Sequence, residues 1–171
     1  MTAEELSYAG LLRVLRDLRR DRESMEQHAQ QAEQCRTKLE GKPDTGVATV
    51  LALSLHHYYT ALETALSRVV RILEGALPPG PDWHVALLAH VAAPLDPLRP
   101  ALVAPERLPE LSQLRRFRHF LRNAYAVSLD ASRLLQLANA LRAVHPGLIR
   151  DLTETQAFLE AVRDRLAGEQ S

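Results

Sequence analysis

The sequence predicts an all-α protein, a bundle of four or five helices, and three observations predict it. Apolar residues recur at spacings of three and four over long stretches, the period of a helix buried along one stripe. Nothing alternates with period two for long enough to demand a sheet. Aromatics make up only 5% of the residues, so Leu, Ala and Val fill the interior, a mix that suits helices better than strands. With 171 residues, 46% of them hydrophobic and 25% charged, the chain is expected to form a single helical domain over residues 1–171.

The first helix is predicted from about Thr2 to Glu40, with Thr2 as N-cap and Glu4 and Glu5 at the positive end of the helix dipole. Leu11, Leu12, Val14, Leu15 and Leu18 give it an apolar face. After Arg19 that face fades into Arg, Asp, Glu and Gln, which predicts either a solvated helix or a partner surface. Gly41-Lys42-Pro43-Asp44 stops it. A second helix starts at Asp44 or Thr45 and ends near Gly75, with its stripe at Val47, Val50, Leu51, Leu55, Tyr58, Tyr59, Leu62, Leu66, Val69, Val70 and Leu73. After the Pro78-Pro79-Gly80-Pro81 turn, Asp82 caps a short helix from Trp83 to about Ala93. Five prolines then interrupt residues 94–109, a loop that the sequence leaves as either ordered or partly mobile. Further helices are predicted at about 110–127, 131–144 and 148–166, the last two separated by Pro146-Gly147.

Lys plus Arg and Asp plus Glu balance at 21 each, so no general attraction to nucleic acid is expected, and an RNA contact needs a local basic patch. The lone cysteine, Cys35, rules out an internal disulfide and a cysteine metal cluster. Adjacent His56 and His57 diverge by about 100° on a helix and cannot easily share an ion; no metal and no cofactor are predicted. No stretch approaches the roughly 20 apolar residues of a membrane span, and the acidic N-terminus is unlike a signal peptide, so a cytoplasmic protein without a membrane partner is expected. Phosphate-loop, serine-hydrolase and paired-carboxylate signatures are absent from the sequence.

The chemistry concentrates in residues 114–125, Leu-Arg-Arg-Phe-Arg-His-Phe-Leu-Arg-Asn-Ala-Tyr. On a helix, Leu114, Phe117, Leu121 and Ala124 share the inward face. Arg115, Arg118, Arg122 and Tyr125 share another, with His119 beside them. Stacked guanidiniums repel, so the row makes sense against an anion such as phosphate; the plain alternative is a solvated face or pairing with a neighbour's acids. A neighbouring His and Arg supply what metal-independent RNA cleavage needs, a proton carrier and a cation for the pentavalent phosphate. Glu63, on the second helix, is expected to be buried or half-buried, where it could neutralise the arginines or orient Arg118.

Phe117-Arg118-His119 followed by Arg122-Asn123 and Tyr125 resembles the HEPN superfamily, and within it the HepT-like ribonuclease toxins. Arg118 matches the motif arginine, His119 the polar position after it, and Tyr125 the tyrosine that follows. Tyr58-Tyr59 with Glu63, Trp83-His84 and Arg99-Pro100 also look like this group, so the similarity spans about residues 45 to 130. The resemblance implies a HEPN-like bundle that dimerises, with the catalytic positions Arg118, His119 and Asn123 facing a shared cleft. Arg115 and Arg122 would bind RNA phosphates there. It also implies a toxin–antitoxin setting, with a nucleotidyltransferase-type antitoxin that adds AMP to Tyr125.

One position departs from the pattern. Asn123 stands where the motif histidine belongs, and an amide has no usable proton equilibrium near neutral pH. Three explanations stay open. The protein has lost cleavage and binds RNA or a partner; His119 has taken over the proton transfer; or the likeness extends to the fold alone. The competing class is a non-enzymatic helical protein-interaction module that uses the polar half of the first helix, Arg19 to Glu40, as its surface.

Overall fold

The computed structural model describes residues 7–123 and 129–169. Among them are five α-helices: α1 (Tyr8–Gly41), α2 (Thr45–Glu74), α3 (Trp83–Ala92), α4 (Leu108–Asn123) and α5 (Ala131–Glu169). A 3-10 turn, Pro105–Arg107, leads into α4. The described residues contain no strand, only an isolated bridge between Leu95 and Arg99 inside the proline-rich loop. The all-α expectation holds.

α2 is the centre of the bundle and touches each of the other helices. The side chain of Asp44 caps its start by accepting from the Val47 N–H at 2.9 Å. Gly75 ends it in the left-handed region (φ 82°), where only glycine sits without strain, and the Gly75 N–H closes the last turn on Arg71 O. Its predicted stripe is buried from Leu51 to Leu73, including both Tyr58 and Tyr59, while Val47 is half-buried and Val50, expected on the stripe, is exposed near the helix start. α1 lies antiparallel along it: His28 stacks on His57, and Asp21 pairs with Arg68, so residue numbers fall on one helix as they rise on the other. α5 runs antiparallel to α1 in the same way, through Arg19–Glu160 and Arg22–Gln156. α4 packs on α2 and α5 through Leu111, Leu114 and Phe117, and α3 fills the corner between α2 and α4.

Three expectations need correction. α1 starts at Tyr8 under a Ser7 cap, whose hydroxyl accepts from the Gly10 N–H at 3.0 Å; Thr2, Glu4 and Glu5 lie outside the described residues. The polar half of α1 is not merely a solvated face. Met25, Ala32, Cys35 and Leu39 bury a narrow stripe there, and Arg36 folds over its own helix between Glu33 and Glu40. That stripe was hard to see because its members are seven, three and four residues apart in otherwise charged sequence. The helices predicted at 131–144 and 148–166 are one continuous helix containing Pro146. Leu137, Leu141, Val144, Leu148 and Leu152 are buried on both sides of the proline, and their joint packing outweighs the roughly 3 kcal/mol that an internal proline costs. Gly147 serves contact here: a Cβ on it would fall 2.2 Å from Arg107 Nη1, so its bare backbone lets Arg107 lie across α5 and grip Asp151 at 2.5 Å.

The proline-rich loop, 94–109, is ordered around one buried cation. Arg99, 3% exposed, donates from Nε to Glu74 Oε1 (2.5 Å) and from its other nitrogens to the carbonyls of His90, Ala93 and Pro100. His90 Nε2 meets the second oxygen of Glu74 at 2.6 Å. The Asp96–Pro97 peptide is cis. Four hydrogen bonds leave from the guanidinium, so one side chain ties the end of α2, the end of α3 and the loop together. Removing it leaves Glu74 with His90 alone and takes a donor from three carbonyls. Arg99→Ala should therefore destabilise the fold by about 3 kcal/mol in urea unfolding, while Arg16→Ala, which loses only an exposed contact with its neighbour Asp17, should stay within about 0.5 kcal/mol. Equal effects would remove this role from Arg99.

Candidate functional site

α4 presents two faces that follow from its sequence. Leu114 and Phe117 are buried and Leu121 is half-buried against the core, as the helical spacing predicts. The opposite side forms one wall of an open cleft of about 980 Å³. Arg115, Arg116, Arg118, His119, Arg122 and Asn123 line that wall, and Pro81, Asp82, His84 and Val85 at the start of α3 line the other. All of the predicted site residues on α4 that the structure describes thus meet one cleft. Tyr125 and Ala124 lie outside the described residues.

Arg118 is set apart from the other arginines. Its Nε donates to Thr60 Oγ1 at 3.1 Å, and its two terminal nitrogens face the two oxygens of Glu63 at 3.1 and 3.4 Å. Glu63 is 5% exposed, so this fork is a buried ion pair with a fixed geometry. The expectation of a buried Glu63 near the arginine row is met geometrically. By contrast, among the described residues no carboxylate pairs with Arg115, Arg116 or Arg122. Pairing with a neighbour's acid therefore fits Arg118 alone among the described residues, while Arg116 and Arg122 are exposed and Arg115 is half-buried. The other three put concentrated positive charge on a protein whose net charge is zero.

His119 and Asn123 are exposed and one turn apart. The Asn123 amide donates to the His119 carbonyl at 2.9 Å, and its nitrogen lies 3.2 Å from His119 Nε2. Asn123 is thus folded back on its own helix and acts as a donor. His84 was quoted in the sequence only as part of a resemblance. Its Nδ1 lies 3.0 Å from Glu63 Oε2, close enough for charge contact though off the line of a hydrogen bond, and its ring stacks against Trp83. Thr60, His84 and Arg116 are site residues that the motif alone did not supply. A helical register calculated from Glu63 would have placed Thr60 three residues back on the same face.

Behind the cleft, His56 sits partly buried. Burial holds its imidazole below the usual histidine range, helped by His57, Arg118 and Arg122. Burial pushes the Tyr59 phenol up, reinforced by Glu63. Tyr58 is raised by burial too and shares a 2.9 Å hydrogen bond with His145 Nδ1. Among the described residues no group of three or more His, Cys, Asp or Glu side chains is arranged to hold a metal ion. No helix there is long and apolar enough to cross a membrane.

An all-α bundle whose fourth helix carries an arginine motif over a buried glutamate has the organisation expected of a HEPN-type protein. Comparison with protein families agrees: the model for the family described as HepT-like protein matches residues 50–161, from α2 well into α5, with the whole 114–125 segment inside the match. The chain belongs to the HepT-like family. No curated protein and no solved structure matches it.

The buried histidines make a pH prediction. His28, His56 and His145 are all held below the ordinary value, mainly by burial. The unfolded chain therefore binds protons that the native chain refuses, and stability falls as pH drops through about 6.5. The urea midpoint should be lower at about pH 5.5 than at about pH 7.5, and His56→Asn should flatten part of that fall. A midpoint that is level across this window contradicts it.

Proposed function

We propose that this HepT-like chain is a toxin–antitoxin component that works in the cytoplasm as a homodimer and grips RNA in the cleft between α3 and α4. The observation that carries the reading is the unneutralised set Arg115, Arg116 and Arg122 around the anchored Arg118. Guanidiniums held apart on a rigid helix suit the phosphates of a nucleic-acid backbone, which they contact in pairs of parallel hydrogen bonds. Arg118, fixed by Thr60 and Glu63, serves as the post against which the others are spaced. Asn123 contributes an amide donor and no proton transfer. The dimer reading draws on Val85 (50% exposed) and Phe120 (47% exposed), apolar side chains left open at the cleft where a second copy would cover them. A nucleotidyltransferase-type antitoxin acting at Tyr125 would block the cleft by adding bulk and negative charge.

Binding is expected to be electrostatic. Arg122→Ala should weaken binding of a labelled mixed-sequence RNA about tenfold and lower the slope of log affinity against log salt by about 1. Lys42→Ala, a substitution just beyond the C-terminal end of α1, should change neither. An Arg122→Ala protein that binds as its parent does removes RNA from this cleft. Sedimentation of the parent as a monomer at the concentrations of the binding assay removes the dimer.

A further inference from the structure

Asn123 cannot move a proton, yet the cleft contains an imidazole in a position that the motif does not describe. His84 is the second residue of α3, directly after Trp83, and lies opposite the α4 arginines. Two contacts limit its ring. Trp83 stacks on one face with ring centroids 3.6 Å apart, and Glu63 Oε2 sits 3.0 Å from Nδ1. The carboxylate is the one that holds Arg118, so a single buried group sets both the cation and the imidazole.

The chemistry of that pair is directional. A carboxylate beside Nδ1 favours the tautomer with its proton on Nδ1, because the N–H then faces the negative oxygen. The lone pair is left on Nε2, the nitrogen away from Glu63. His84 is one-third exposed, so the ring is held at its inner edge and reachable at its outer one.

We infer that His84 is the proton acceptor of an RNA-cleaving site in this cleft, with Glu63 as the residue that orients it; the inference rests on the RNA-binding reading above. The step is an internal transesterification. His84 Nε2 takes the proton of a ribose 2′-hydroxyl, the 2′-oxygen forms a bond to the adjacent phosphorus, and the bond from phosphorus to the 5′-oxygen breaks. That leaving oxygen takes a proton from the imidazolium form of His119, which lines the same cleft. The products are a 2′,3′-cyclic phosphate and a 5′-hydroxyl, and solvent restores both histidines. Arg118 and Arg122 carry the extra charge on phosphorus. The charged groups around His84 are Glu63 from α2, Arg115, Arg118 and His119 from α4, and Asp82 on its own helix. No metal or external reagent enters the balance.

The test separates binding from cleavage. Purified full-length protein, in chelator, is given a labelled mixed-sequence RNA, and affinity and cleavage are followed together, with thermal unfolding as the check on folding. His84→Asn is the informative variant: its amide nitrogen replaces Nδ1 beside Glu63, while nothing replaces Nε2. It should bind RNA within about twofold of the parent and cleave about 100-fold more slowly. The parent's rate should rise with pH as its base loses a proton, and His84→Asn should lose that rising limb. Glu63→Gln should displace the limb without abolishing it, an effect that lost packing alone would not give. A parent that binds but leaves the RNA intact overturns the inference and leaves the binding reading standing. Cleavage unchanged in His84→Asn overturns it as well. A parent that does not bind RNA overturns the binding reading, and this inference with it.

Discussion

Glu63 lies on the central helix of the bundle, between Leu62 and Leu66, and a carboxylate there is unfavourable by several kcal/mol unless opposite charge reaches it. α4 delivers that charge through Arg118. Leu111, Leu114 and Phe117 must face the core, and this fixes the rotation of α4 so that Arg118 descends onto Glu63 and Thr60. Once Arg118 is placed, the helical period places the rest: Arg115 and Arg122 stand one turn to either side, and His119 stands next to it. The cleft is therefore a consequence of compensating one buried acid, and its geometry is as rigid as that ion pair. α3 closes the arrangement by bringing His84 to the other edge of the same carboxylate.

The sequence made the helices legible wherever burial had a regular period. α2 is the clearest case, since its stripe never breaks and its ends carry a capping aspartate and a glycine. The inward and cleft-facing sides of α4 follow from the same reasoning. Two features misled it, both for a physical reason. Pro146-Gly147 has the chemistry of a helix stop, but a local signal worth about 3 kcal/mol loses to buried leucines on both sides of it. The lower half of α1 reads as polar because its buried residues, Met25, Ala32, Cys35 and Leu39, are few and widely spaced in charged sequence.

The site was legible in one dimension and hidden in the second. Spacing along α4 shows that the arginines share a face, but it cannot show which of them is paired. That distinction came from α2, about 55 residues earlier, where Thr60 and Glu63 occupy one arginine and leave three without a carboxylate among the described residues. His84 is a similar case. Its neighbour Trp83 packs on the core, yet a lone histidine at a helix start carries no local signal of the glutamate it will meet. Long-range charge compensation leaves no periodic trace in a sequence.

This division of labour bears on what a replacement at position 123 can change. Asn123 is exposed and bonded to its own helix, so no core contact depends on the residue type there. Arg118 is the reverse: it is largely buried, and its loss would leave Glu63 uncompensated under α4. The arginine of the motif is thus held in place by stability as well as by any task in the cleft, whereas position 123, that of the motif histidine, is free of that constraint. A chain can exchange its histidine for asparagine at little structural cost and keep the whole arginine-lined wall intact. Retention of Arg118 alone is then weak support for retained chemistry, because folding would preserve it anyway. The unpaired arginines are stronger support, since their mutual repulsion offers the bundle no stability in return. That repulsion is a cost that no carboxylate among the described residues offsets.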